Sequence, residues 1–184
     1  VSAASFFVRW RVRLGYPLAV VVLALARPSP HSILYGAFVG VVGLLLRAHA
    51  AGYLHKQEVL TTTGPYAYTR NPLYFGSSIL TVGVAIATWS WLSAILLCSY
   101  FAVFYSIVMR REEQELRLQH GAAFDQYAQA VPLFFPHFPP TKLSPASPGT
   151  FSFPQYKKNR EYRAAIGFLL VLIVLVAIWR LRLA

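Results

Sequence analysis

The sequence predicts an all-α, polytopic membrane protein with about five transmembrane helices, and three observations carry the prediction. Of its 184 residues, 57% are hydrophobic and only 12% charged, with a mean hydropathy of +0.50, too apolar for an ordinary soluble domain of this length. The apolar residues fall in blocks whose ends are marked by charge or proline. From Asn71 to Met109 no residue is charged, a run about twice what one span requires.

The first block, Leu14 to Ala26, follows Arg9, Arg11 and Arg13. Its arginine-flanked start and its Ala24-Leu25-Ala26 end also resemble a signal peptide; it is read here as a first transmembrane helix. The second, Ser32 to Leu46, continues through Arg47 and His49 to Leu54, long enough to cross about 30 Å of hydrocarbon. The uncharged run from Asn71 to Met109 must contain two spans, so a break near Thr88 to Ser93 makes a tight helical hairpin with Trp89 and Trp91 at the interface. The last block, Ala164 to Trp179, is bracketed by Arg163 and Arg180, whose side chains can snorkel to extend a short span.

The chain is thus read as one membrane domain, with a core over 47–136, a Pro/Ser-rich connector over 137–163 and a C-terminal transmembrane helix over 164–184. Between Arg110 and Val131 the fourth helix continues beyond the membrane, with Leu116, Phe124 and Tyr127 on one side and Glu113 paired to Arg117 one turn on.

Net charge is +11. Without RNP-type strands or a basic polar helix, this excess does not point to nucleic acid. All cations except Arg27, Arg180 and Arg182 fall in the N-terminal stretch, the Arg47–Arg70 loop with its Lys56, or the Arg110–Arg163 segment. If these three regions share a face, the positive-inside rule makes that face, and the N-terminus, cytoplasmic. Bacterial inner membrane and endoplasmic reticulum both fit. The five histidines show no H-E-x-x-H or comparable spacing, so no metal site is expected. His55 alone stands near enough in sequence to approach the loop described next.

"TTTGPYAYTRNPLYFG", Thr61 to Gly76, is built unlike the rest. Gly64-Pro65 signals a turn, Asn71 stands where a helix cap is expected, and Pro72 suits the first helical turn. Arg70 then lies at the membrane surface beside a helix N-terminus, a setting that favours an anion. Tyr66, Tyr68 and Tyr74 add aromatic faces and hydroxyls. A second cluster, Glu112, Glu113 and Glu115, holds three of the six acidic residues at the end of the fourth span. A carboxylate there is costly unless paired. Arg110 and Arg111 can neutralise the cluster, or one glutamate can orient a bound group.

Three blocks, "RAHAAGYL" from Arg47, "LTTTGPYAYTRNPLYFG" from Leu60 and "REEQELRLQHGAAFDQYAQAVPLFFP" from Arg111, resemble the isoprenylcysteine carboxyl methyltransferase and phospholipid methyltransferase family of integral membrane enzymes. The resemblance covers roughly Arg47 to Pro136 and rests on the order of all three. It implies S-adenosylmethionine as cofactor in a cytoplasmic pocket, surrounded by Gly64, Tyr66, Arg70, Asn71, Pro72, Tyr74, Gly76, Glu112 and Glu113, with Tyr127 and Pro132 helping to close it. Arg70, Glu112 and Glu113 are its candidate catalytic residues. It further implies a lipophilic methyl acceptor entering from the bilayer, an isoprenylcysteine carboxylate or a lipid headgroup. Many members carry His where this chain has Asn71, and the glycine-x-glycine element of the phospholipid enzymes has no clear equivalent. The tail beyond Pro136 lies outside the resemblance, and deleting Thr150 to Ala184 is expected to leave cofactor binding largely intact. A non-catalytic scaffold keeping the fold and an NADPH-dependent sterol-reductase-like enzyme are the rival readings.

Overall fold

Serine and proline set the helix starts in this chain. In the computed structural model, which describes residues 3–55, 59–142 and 149–183 and side chains from residue 13 onward, α1 spans Ala3–Leu25 and α2 Pro30–Tyr53. Pro30 opens α2, where a missing N–H costs nothing, and Ser29 caps it: its Oγ accepts from Ser32 N at 3.1 Å while Ser32 Oγ accepts from Ser29 N at 2.9 Å. Beyond a 3₁₀ turn at Gly64–Ala67, α3 runs Pro72–Thr88 and α4 Trp91–His120. The expected hairpin break falls at Trp89, left-handed at φ 49°, and Ser90, whose side chain caps α4 by accepting from Ser93 N. Two short helices, α5 (Ala122–Ala130) and α6 (Phe153–Lys158), precede α7 (Tyr162–Leu181).

Among the described residues every regular element is helical. Among the described residues three helices are long and apolar enough to cross a membrane: α2, α4 and α7. The other two expected spans correspond to shorter apolar helices, Arg13–Leu25 within α1 and α3 itself. Outer faces expose residues such as Phe38, Leu45, Trp91 and Leu169, as a lipid solvent allows.

α2 and α3 form the central pair, and glycine lets them touch. A Cβ on Gly83 would lie 2.6 Å from the Gly40 nitrogen, and one on Gly43 would lie 2.6 Å from the Gly76 carbonyl oxygen. In a bilayer such close backbone approach replaces the hydrophobic drive that lipid removes. α7 packs on the same pair, the Phe168 ring filling the notch left by Gly40 and Leu175 joining Ala26 and Ala87 in a buried cluster. At one end the α1–α2 and α3–α4 turns are joined by Arg27 N to Thr88 O at 2.8 Å and Ser32 Oγ to Ala87 O at 3.2 Å. The opposite end gathers the C-terminus of α2, the start of α3, the extension of α4, and α5 and α6.

Three local expectations are corrected. The helix after Arg110 breaks at Gly121, whose φ of 53° stops α4 and turns α5 back so that Phe124, Tyr127 and Val131 pack against Leu60 and Leu116. Glu113 does not pair with Arg117; Arg117 Nε binds Asp125 Oδ1 at 2.7 Å across that break. The connector is not wholly irregular, since Ser152 caps α6, and Gln155 and Asn159 donate to the Leu54 carbonyl at 2.5 and 3.0 Å. Lys56, part of the charge argument, and connector residues 143–148 lie outside the described residues.

Candidate functional site

The segment before α3 is held in place by backbone bonds to the Pro-rich stretch after α5. Arg70 N donates to Pro132 O at 2.9 Å, His137 N to Tyr68 O at 3.1 Å and Thr141 N to Ala67 O at 3.0 Å. Thr69 Oγ1 adds a bond to Phe134 O at 2.9 Å. Gly64 starts the turn at φ 61°, where a Cβ would also strike the Tyr53 ring. Asn71 occupies the cap position without capping: its Nδ2 donates to Leu133 O at 3.0 Å. The Leu133 carbonyl, approaching from another segment, takes the Nδ2 end of the amide, and the side chain makes no cap bond to α3.

This scaffold brings Tyr66, Arg70, Glu112 and Tyr127 to one wall. Two cavities meet there. The larger, about 380 Å³, lies between the loop at Val59–Thr61, the extended end of α4 and Tyr127, and also takes in His55 and His120. The smaller, about 270 Å³, reaches between α2, α3 and α4 and is lined by Arg47, Tyr74, Tyr105 and Glu161 among others. Tyr66, Arg70, Glu112, Leu54 and Leu116 line both.

Charges at the junction are paired unevenly. Arg70 Nη1 lies 2.7 Å from Glu113 Oε1, both side chains mostly buried. Arg70 Nε is buried with no hydrogen-bond partner among the described residues. Glu112, the other member of the glutamate pair, accepts from Tyr74 Oη at 2.6 Å and faces both cavities. Spacing alone left the two glutamates equivalent; geometry gives Glu112 the cavity surface and Glu113 the grip on Arg70.

Tyr66 is 7% exposed and its hydroxyl too is buried without a partner among the described residues. Burial, and after it the neighbouring Tyr127 and Glu112, pushes its pKa well above 10.0. Tyr127 Oη donates to the Tyr66 carbonyl at 2.8 Å, and its own pKa is raised chiefly by burial, with Arg70 pulling the other way. Both hydroxyls therefore stay protonated, as donors, at neutral pH.

The remaining sequence candidates divide. Asn71, Pro72 and Tyr74 line the smaller cavity. Gly64 shapes the turn, and Gly76 lies in the α2–α3 seam against Gly43 and Arg47 instead of on a cavity wall. Sequence reasoning gave no role to Arg47, although it opens the first resembling block, or to Glu161, beyond the resemblance; they form an ion pair of 2.6 Å. The separation of 114 residues left no local signal for that pair.

The two buried, unpartnered donors, Tyr66 Oη and Arg70 Nε, stand beside the carboxylate of Glu112. An uncompensated buried donor costs about 1–3 kcal/mol. A ligand with acceptor oxygens or nitrogens and a positive centre would satisfy this set, and S-adenosylmethionine has that chemistry. Among the described residues no three of His, Cys, Asp and Glu gather as a metal site.

Comparison with known proteins matches residues 50–122 to the family described as phospholipid methyltransferase. The chain is 36% identical over 104 residues to the nickel-cobalt-cadmium resistance protein NccN of Alcaligenes xylosoxydans, covering 53% of this chain and 48% of that protein. It is 30% identical over 134 residues to the cobalt-zinc-cadmium resistance protein CzcN of Cupriavidus metallidurans, covering 69% and 62%. With the protein-S-isoprenylcysteine O-methyltransferase of Schizosaccharomyces pombe it shares 32% identity over 85 residues, 46% of this chain and 36% of the enzyme. The chain thus spans between about a third and two thirds of the length of these relatives. No solved structure matches it.

Proposed function

We propose that this chain, whose residues 50–122 match the phospholipid methyltransferase family, transfers a methyl group from S-adenosylmethionine to a lipophilic acceptor at the membrane face. The observation that carries this reading is the meeting of Tyr66 Oη, Arg70 Nε and Glu112, two buried unpartnered donors and a carboxylate, where two cavities join inside the matched segment.

In this reading Tyr66, Arg70 and Glu112 hold the cofactor, which when bound supplies an electrophilic methyl on a sulfonium. Glu113 fixes Arg70, Tyr74 fixes Glu112, and Tyr127 fixes the Tyr66 backbone. Pro72 sets the start of α3, Asn71 ties that start to the Leu133 carbonyl, and Gly64 and Gly76 let the loop and helix approach their neighbours. Leu54 and Leu116 supply apolar lining where the two cavities join. An ionised acceptor needs no base; an ammonium acceptor must lose a proton, and a Glu112 carboxylate oxygen is placed to receive it. Positioning and water exclusion are the protein's contribution. We assign the acceptor, an isoprenylcysteine carboxylate-like or headgroup-bearing amphiphile, to lateral entry from the bilayer, and the site and N-terminus to the cytoplasmic side.

Calorimetric titration of the detergent-purified protein with S-adenosylhomocysteine, with NADPH for comparison, tests the proposal. Saturable binding of the first alone is expected. Binding of NADPH instead would point to reductase chemistry, and binding of neither by folded protein to a scaffold.

A further inference from the structure

Arg47 is a charged residue inside a helix apolar enough to span the membrane, a placement that is costly unless the charge has work to do. Its guanidinium is held from two sides. On one, Nη1 donates to the Leu73 carbonyl at 3.4 Å and to Ser77 Oγ, both on α3. On the other, Nε and Nη2 donate at 3.1 and 2.6 Å, and both bonds end on the same oxygen, Oε2 of Glu161. Arg47 and Glu161 line the smaller cavity together with Tyr74 and Glu112.

Two features set Glu161 apart from an ordinary structural partner. First, the α3 contacts hold the Nη1 corner of the guanidinium from the side away from Glu161, leaving the Nε–Nη2 edge turned toward the smaller cavity that both residues line. That edge is the one arginine uses for a carboxylate fork, in which two parallel bonds reach two oxygens; here one oxygen takes both. Second, Glu161 arrives from a separate segment, immediately before α7 and after Arg160 at φ 56°, outside the family-matched residues.

We propose that the Nε–Nη2 edge of Arg47 is a binding site for the anionic headgroup of a membrane-borne amphiphile, and that Glu161 is its resident occupant, displaced when a carboxylate-bearing ligand enters the smaller cavity. The site is a binding site in its own right; its assignment as the acceptor end rests on the methyltransferase reading. Glu161 thereby sets specificity, since an uncharged or cationic amphiphile gains nothing by displacing it.

The test is equilibrium binding of spin-labelled stearic acid, and of its uncharged methyl ester, to the full chain in detergent, with S-adenosylhomocysteine binding measured on the same samples. If Glu161 occupies the edge roughly nine-tenths of the time, Glu161→Gln tightens stearate binding about tenfold and leaves the ester unchanged. Adding Arg47→Ala to Glu161→Gln is expected to abolish the gain. Should Glu161→Gln fail to fold, Glu161→Asp, which draws the carboxylate back, is expected to tighten stearate binding in the same direction. Unchanged or weaker stearate binding by a folded variant, or an equal gain for the ester, overturns the proposal. S-adenosylhomocysteine binding with no stearate response defeats this inference alone; a stearate response without S-adenosylhomocysteine binding defeats the methyltransferase reading alone.

Discussion

Arg70 and Glu113 meet at 2.7 Å with side chains only 15% and 19% exposed, joining the loop before α3 to the extension of α4. Breaking such a pair leaves a charge without its partner in a place poor in water. Arg70→Ala is therefore expected to lower stability by about 3 kcal/mol and S-adenosylhomocysteine affinity by about 2 kcal/mol. Glu113→Gln, which keeps an acceptor oxygen for Arg70, is expected to lose less of both. Melting and titration of the two variants check the order; equal affinities for Arg70→Ala and the parent would move the ligand contact elsewhere.

Tyr66 allows stability and binding to be set against each other. Its hydroxyl is buried with no partner among the described residues, so Tyr66→Phe removes a desolvated group that none of them compensates. The variant is expected to melt at the same or a higher temperature, by up to about 1 kcal/mol of added stability, while binding S-adenosylhomocysteine less tightly. A fall in stability would mean that the hydroxyl has a structural partner, and unchanged affinity that the ligand does not reach it.

For Tyr127 the expectation concerns pH. Burial raises its pKa above the unfolded value of 10.0, as it does for Tyr66. Above pH 10 the unfolded chain releases these protons while the folded chain retains them, so stability present below that point declines as pH rises toward the folded pKa. Tyr127→Phe loses the bond to Tyr66 O, about 1 kcal/mol at neutral pH, but its stability is expected to fall less steeply between pH 10 and 11. Parallel pH–melting curves for parent and variant would refute this.

The glycine seam gives a graded expectation. At Gly83 an added methyl meets the backbone of Gly36 and Gly40, which cannot yield without separating α2 from α3; at Gly40 it meets the Phe168 side chain and its flexible torsions. Gly83→Ala is expected to cost about 1–3 kcal/mol, and Gly40→Ala less, with α7 adjusting. Detergent melting temperatures rank the two.

Much of this was legible in the sequence where the cause is local. Pro72 fixes the start of α3, and the Trp89–Ser90 break divides an uncharged run too long for one helix. The glutamate pair and Tyr66–Arg70 stood out because polar residues are sparse. What escaped depends on distant partners. Asn71 is a good cap by residue type, yet the Leu133 carbonyl, 62 residues on, takes its amide. Gly121 is a common enough residue that its positive φ, and the turn it gives α5, left no mark above the helical pattern around it. Glu161 fell beyond the resembling blocks, so nothing linked it to Arg47.

That last separation has a consequence for biosynthesis. Arg47 leaves the ribosome 114 residues before Glu161, an interval of roughly 6–23 s at ordinary elongation rates. During it α2 carries a cation toward the bilayer without its eventual counter-ion. The nascent chain can therefore hold α2 near the headgroups, or pair it early with Ser77 and Leu73 of α3, but it completes this layer only once Glu161, at the threshold of α7, has been made.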